Sequence, residues 1–473
     1  MSNWKIYDYI YISSLICKLF LNFLLIVYLI FKQFHMKLLR LFYLLLLLLV
    51  LISCKTTYTA VVVPIGEVSN FEKIASIKNI VSIEKREPVS HFDENYELWF
   101  EQPVDHNDLS KGTFRQRVFL GFENDTLPVI VELRGYGIGP ESAGELANHY
   151  NANQLTIEHR YFNNSRPNNI NWNTLTIENA AKDQAIIIDA VRNILYPNAK
   201  FISTGISKGC QTTMAHRRYF PKNVDACVCY VGPLNFQRED PRVYEFLKSV
   251  STKEDRAKVK EFQGLCFENR ESLLEMMKIV AEKEGMTWEF GVEKAIDYTI
   301  LEYSFAFWQW GFPIEFIPSS NATVQDIYKH LIDVVGYDFF EEKAVDELQP
   351  YFWAALTEQG IYGYETTPFK KYLNTEEIYK FDWAFPDGIT KPFDPIPMQE
   401  IKSFLDKSAE KILFIYGEYD TWSATAVDLA EDSSKREVFK FVKPKASHRT
   451  RIGSFNDENQ KQIYDIIDSW LEN

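Results

Sequence analysis

The chain is 473 residues long, 46% hydrophobic and 15% aromatic, with a formal net charge of −14. A chain of this length can bury a large core without a disulfide or metal staple, and its acidity argues against nucleic acid as the main partner, because phosphate binding needs a basic face. Its six cysteines, Cys17, Cys54, Cys210, Cys227, Cys229 and Cys266, form no CxxC pair and have no histidine-rich companion, so no zinc site, cofactor or disulfide is expected.

Residues 1–53 are far more apolar than the rest. Within them a basic start, Met36-Lys37-Leu38-Leu39-Arg40, precedes the apolar run Leu41 to Ile52, and Ser53 and Cys54 follow. That order is the plan of a secretory signal. The ending Leu51-Ile52-Ser53-Cys54 resembles a bacterial lipobox, which implies cleavage before Cys54 and diacylation of its sulfur. A domain so anchored lies at the cell envelope, on the bacterial outer membrane. Leu38 to Ile52 is short for a bilayer span, which takes about 20 residues. The reading adopted is that translation starts at Met36, residues 36–53 are a lipoprotein signal and residues 1–35 an upstream extension; the alternative is two membrane helices, the first over Leu15 to Phe31.

Residues 54–94 carry no motif and read as a tether. From Glu97 the pattern becomes β-rich. Arg115 to Phe122 alternates like a half-buried strand, and Leu127 to Leu133 is a continuous apolar run like a buried one. Leu155 to Glu158, Phe201 to Thr204 and Ala226 to Val231 are further strands, separated by helical patterns over Asp183 to Leu195 and Gln211 to Phe220. Strands alternating with helices predict a parallel sheet. From Phe236 to about Gln399 the pattern turns helical, over Val243 to Val250, Glu271 to Lys283, Val292 to Trp310, Val324 to Val335 and Phe339 to Thr357. Strand character returns at Lys411 to Tyr416 and Val438 to Val442. The predicted architecture is one α/β domain (95–235 and 401–473) interrupted by a helical cap (236–400) at the carboxyl ends of the strands.

The sharpest motif is Gly205-Ile206-Ser207-Lys208-Gly209, a G-x-S-x-G placed between a predicted strand and a predicted helix. A nucleophile in such a turn is crowded by backbone, so the positions two before and two after it need glycine. A serine hydroxyl also needs a base. Three histidines follow Ser207. His216 lies in the same helix, pointing away, and His330 falls in the insertion, so His448, beyond the last strand, is selected. The acid should lie between them in the chain, after Lys411 to Tyr416, where both Glu418 and Asp420 stand; Asp420 is preferred, although it could equally cap the segment Thr421 to Ala430. For the oxyanion, the Lys208 backbone N–H is one expected donor, and Gly135 or Tyr136, in the turn after the strand ending at Leu133, supplies the second.

Several segments together resemble bacterial secreted prolyl tri- and tetrapeptidyl aminopeptidases, serine peptidases related to lysosomal Pro-X carboxypeptidase and dipeptidyl peptidase II. They are FEQPVDH (100–106), GTFRQR (112–117), Gly135-Tyr136-Gly137, EHRYF (158–162) with Ser165-Arg166-Pro167, Ser207-Lys208-Gly209, PKNVD (221–225), YVGP (230–233), FWQWG (307–311), YGEYD (416–420) and Ser447-His448-Arg449. The resemblance implies an α/β-hydrolase fold, a helical cap that limits access, and removal of short peptides from free N-termini, often after proline. It favours Asp420 over Glu418. It also implies that an acidic residue of the EHRYF element, here Glu158, binds the substrate's free amine, although Glu158 equally suits a structural ion pair with Arg160 or Arg166. Glu358 is a second amine-binding candidate. Two positions depart from the family pattern: Cys210 stands where a glycine is usual, and Ala185 where a histidine is frequent. An esterase or lipase of the same fold, and a surface binding lipoprotein without catalysis, are the competing readings.

Overall fold

A computed structural model describes residues 68–472, apart from residues 140, 141, 338, 375–378 and 387. The predicted leader, the lipobox with Cys54 and the first part of the tether lie outside the described residues. Residues 69–473 form one compact unit.

Nine strands build the sheet: β1 (Ile80–Arg86), β2 (Glu94–Pro103), β3 (Thr113–Phe122), β4 (Val129–Leu133), β5 (Asn153–Ile157), β6 (Phe201–Ile206), β7 (Ala226–Tyr230), β8 (Ile412–Gly417) and β9 (Val438–Lys443). Their order is β1-β2-β3-β5-β4-β6-β7-β8-β9. The pairs β1·β2, β2·β3 and β3·β5 are antiparallel, and every pair from β5·β4 onward is parallel. This is an α/β-hydrolase sheet, and its strand order carries the assignment.

The parallel strands are buried on both faces because helices cover both. Helices α3 (Ile177–Leu195), α4 (Lys208–Tyr219) and α11 (Ile396–Lys407) pack on one side, and α2 (Glu145–Tyr150) and α12 (Asp457–Glu472) on the other. Period-two alternation divides each strand between two cores. In β8, Ile412, Phe414 and Tyr416 face the α3/α4 side, while Leu413 and Ile415 face α12.

Between β7 and β8 come α5 (Arg242–Ser249), α6 (Lys253–Glu268), α7 (Arg270–Glu284), α8 (Val292–Trp310), α9 (Val324–Val335) and α10 (Glu342–Ala354), sharing a separate aromatic-rich core. The bounds of α8 and α9 coincide with the sequence pattern. Helix α10 runs into one π turn, Ala355–Gln359.

The structure departs from the sequence pattern in several places. The second half of the tether belongs to the fold: α1 (Asn70–Ala75) and β1 lie within residues 54–94, with Ile74 and Ile77 buried. Helix α6 has no counterpart among the predicted elements, because charged residues interrupt its apolar stripe; α11 and α12 were missed as well. Helix α3 begins earlier than its apolar spacing suggested, where the Thr176 hydroxyl accepts the N–H of Asn179 as an N-cap.

Candidate active site

Ser207 sits between β6 and α4 at φ 58°, ψ −122°, a backbone conformation that costs on the order of 1–3 kcal/mol for a side-chain-bearing residue. The surrounding glycines permit it. A Cβ on Gly205 would stand 2.1 Å from the Gly209 carbonyl oxygen, and one on Gly209 would stand 2.8 Å from that of Leu133. The turn is pinned by the Ser207 N–H donating to the Tyr230 carbonyl (2.9 Å). The departure at Cys210 is accommodated by Gly232, where a Cβ would lie 2.2 Å from the Cys210 sulfur.

Asp420 and His448 are brought together: His448 Nδ1 lies 2.7 Å from Asp420 Oδ2. Asp420 is fully buried and His448 nearly so. The other Asp420 oxygen accepts the Trp422 N–H at 3.1 Å, so the carboxylate orients the imidazole and caps the turn Thr421–Thr425 at once. Glu418 is exposed and accepts the Lys445 N–H, away from the histidine. Ser207, Asp420 and His448 follow β6, β8 and β9, which lie within three neighbouring-strand steps of a parallel sheet and so end at one edge. The other two histidines are structural: His216 is buried against Asn223 (2.8 Å), and His330 meets the Tyr303 hydroxyl (2.9 Å).

The cap braces the acid and histidine loops through the end of α8, which explains the FWQWG motif. The His448 N–H donates to the Gln309 carbonyl (2.8 Å) and the Thr421 hydroxyl to the Phe305 carbonyl (2.9 Å). Trp310 meets the His448 ring edge-on at 5.9 Å. Gly311 ends the helix at φ +71°, and a Cβ there would stand 2.8 Å from Ser447 Cβ. No feature of the sequence marked these residues as positioning groups.

The expected oxyanion residues surround the elbow. A Cβ on Gly135 would stand 2.6 Å from Lys208 Cβ and 2.7 Å from the Gly209 nitrogen. The Tyr136 phenol hydrogen-bonds Ser207, and burial pushes its pKa up to about 12, so it stays protonated as a donor. The Lys208 N–H belongs to the first turn of α4, where a helix leaves its donors unpaired within itself. Its side chain turns inward: Nζ donates to the Gly135 carbonyl (2.8 Å) and lies 5.5 Å from the Phe162 ring. Desolvation lowers its pKa to about 7. This buried ammonium ties the Gly135 turn to the elbow, a role not legible in the motif.

The two amine-binding candidates fare differently. Glu158 is fully buried. It accepts from Arg117 (2.8 Å), from the Ile138 N–H (2.9 Å) and from both the N–H and the hydroxyl of Ser165. Its ion pair is therefore with Arg117 on β3, and not with Arg160 or Arg166. No lone-pair direction remains for a substrate amine. Arg160 instead forks onto Asp183 (2.6 and 2.9 Å), which His106 also meets at 2.7 Å. Arg166 donates to the Asp346 carbonyl (2.7 Å), the acceptor that Pro350, lacking an N–H, leaves unfilled inside α10. Residues of the EHRYF and SRP segments thus hold the sheet edge and cap together. Glu358 accepts the Ile177 N–H (2.8 Å) at the start of α3, with Lys391 at 4.0 Å; burial raises its pKa.

Strand order, elbow and buried aspartate–histidine pair are those of the α/β-hydrolase class. Within that class, residues 67–471 match the family described as PS-10 peptidase S37, and the chain belongs to this family of serine peptidases. It is 26% identical over 377 residues, 78% of this chain and 79% of the other, to the prolyl tri/tetrapeptidyl aminopeptidase of Streptomyces mobaraensis. Among solved structures, it aligns with proline iminopeptidase from Mycobacterium smegmatis at a TM-score of 0.40 and 13% identity, covering 82% of this chain and 98% of that one. It aligns with the hydrolase BphD from Rhodococcus sp. strain RHA1 at 0.36 and 11%, covering 82% and 100%.

Proposed function

We propose that this chain is a serine exopeptidase that releases di-, tri- or tetrapeptides from free N-termini, with proline preferred at the cleavage site. The observation that carries it is the Asp420–His448 contact at 2.7 Å, at the same sheet edge as a serine held in a strained elbow. With Nδ1 engaged by the aspartate, Nε2 is the nitrogen left to take the Ser207 proton as the hydroxyl attacks the scissile carbonyl. The oxyanion is met by the Lys208 N–H and by the Gly135–Tyr136 turn. His448 then protonates the departing amine, and water, activated by the same nitrogen, hydrolyses the acyl-enzyme. The substrate class is supported by the S37 membership and by the name of the Streptomyces relative.

The test is a matched pair of proline-ending tripeptide chromogenic substrates, one with a free amine and one acetylated, followed by mass spectrometry of products from a mixed peptide library. The proposal requires rapid loss of short N-terminal fragments and little hydrolysis of the acetylated substrate. Equal rates on both, or preference for simple esters over peptides, would contradict it.

A further inference from the structure

Among the described residues, one buried carboxylate of the cap has no counter-charge within ion-pair distance. Glu302, on α8, is 4% exposed. Both its oxygens accept from the Tyr362 hydroxyl (2.9 Å each), and one also from that of Tyr364 (2.7 Å). Among the described residues no cation lies within ion-pair distance of it and no backbone N–H donates to it. Compare Glu158, which has an arginine and two N–H groups, and Glu358, which has an N–H and a lysine. A buried carboxylate served only by phenols is under-compensated, since burial penalises the charge far more than two neutral donors restore. Accordingly its pKa is raised to about 8.

The place of this group is specific. Tyr362 stacks on Phe305 at 3.6 Å and meets Trp422, two residues past Asp420, at 5.4 Å. On the other side, Tyr351 lies 5.7 Å, ring to ring, from Tyr136, whose hydroxyl reaches Ser207, and the Glu302 charge is near enough to raise the Tyr351 phenol. Glu302 therefore bonds to a tyrosine of the same aromatic cluster that holds Tyr351, whose ring packs on the nucleophile's own tyrosine. Ring faces around an acid suit an organic ammonium, which gains from both.

We propose that Glu302 is the receptor for the substrate's N-terminal ammonium and, by its distance from Ser207, the ruler that sets the length of peptide removed. This rests on the exopeptidase reading above and adds the specificity residue to it. The Tyr136–Tyr351 contact alone spans 5.7 Å, so a peptide reaching from Ser207 to Glu302 needs about two or more extended residues at about 3.3–3.6 Å each. The titratable groups around Glu302 are Tyr351 from α10, Tyr362 and Tyr364 from the segment after the π turn, and Tyr298 from α8 beside Tyr364. The first three are held well above the ordinary phenol range, so none supplies a competing charge near neutrality. The bound state needs a carboxylate and an ammonium. Below pH 8 the empty site holds a proton that must leave, so affinity for the amine falls about tenfold per pH unit. Above about pH 8 the substrate amine loses its own charge.

The experiment compares kcat/KM for the free-amine and acetylated tripeptide substrates in the wild type and in Glu302→Gln. The wild-type ratio is expected to exceed about 100. In the variant it should fall to within about tenfold of one, through KM, with product lengths from the peptide library becoming mixed. A variant that keeps the wild-type ratio overturns the proposal while leaving the exopeptidase reading intact. A wild-type ratio near one removes both. Should Glu302→Gln not fold, the wild type decides: the ratio must climb about tenfold per unit between pH 6 and 8, because any ionisation of the shared catalytic groups affects both substrates alike and cancels. A flat ratio overturns the assignment of the amine to this carboxylate.

Discussion

Replacing Asp420 by asparagine isolates what its carboxylate does for His448. Asp420 makes two contacts: Oδ2 with His448 Nδ1 at 2.7 Å and Oδ1 with the Trp422 N–H at 3.1 Å. An asparagine can keep the second, with its carbonyl oxygen on Trp422. It then presents an N–H to Nδ1, which moves the imidazole proton to Nε2, the nitrogen that must accept the serine proton. Catalysis loses its base without losing the turn. The expected loss is about 10⁴-fold in kcat, the scale found when a triad carboxylate is neutralised. The stability change should be about 1 kcal/mol, one hydrogen bond altered within an intact cap. Steady-state kinetics on a free-amine tripeptide substrate, with thermal melts of the same preparations, separate the two effects. Glu418→Gln is the control, since the exposed Glu418 only accepts the Lys445 N–H, and its kcat should stay within about threefold of wild type. An Asp420→Asn variant that keeps a tenth or more of the wild-type kcat, or a Glu418→Gln variant that collapses, would refute this role of Asp420.

Three more outcomes are expected. Gly311→Ala forces a left-handed alanine and drives a Cβ to 2.8 Å from Ser447, so kcat should fall about tenfold with KM little changed; wild-type kcat would show that α8 does not position the histidine loop. Lys208 has a folded-state pKa near 7, against about 10.4 when unfolded. Between those values the unfolded chain binds the extra proton, so this residue makes stability rise as pH increases from 7 to 10. Denaturant unfolding of Lys208→Met at pH 7 and 9.5 should lack that part of the increase, and an unchanged slope would contradict the burial of a titrating ammonium. Cys54→Ala should shift the protein from the membrane to the soluble fraction on cell fractionation, and continued membrane retention would argue against anchoring through that sulfur.

The elbow and the histidine were legible because each is tied to a local pattern: glycines two residues either side of Ser207, and a lone histidine beyond the last strand. Asp420 and Glu418 could not be separated by strand position alone, since they stand two residues apart after the same strand; burial and the direction of each carboxylate separate them. Glu158 misled for the opposite reason. Its partner Arg117 lies 41 residues earlier in the chain, on the neighbouring strand β3, so the motif displayed a charge without displaying what neutralises it. The same holds for Arg166, whose purpose emerges only when Pro350 leaves a carbonyl unfilled in a helix far along the chain. Glu302 sat inside a predicted helix with no motif to mark it, and only the fold reveals that none of the described cations comes within ion-pair distance of it. Helix α6 went unread because its stripe is broken by lysines and glutamates, while α8, apolar on nearly every side, was bounded by its sequence alone.

Catalysis by this site requires Ser207 to be an activated nucleophile. Intact-protein and peptide-level mass spectrometry after treatment with a fluorophosphonate measures this directly. One adduct per chain on Ser207, absent from Ser207→Ala and formed far more slowly by Asp420→Asn, is the predicted result. An unlabelled protein, or an adduct on a different residue, would contradict it.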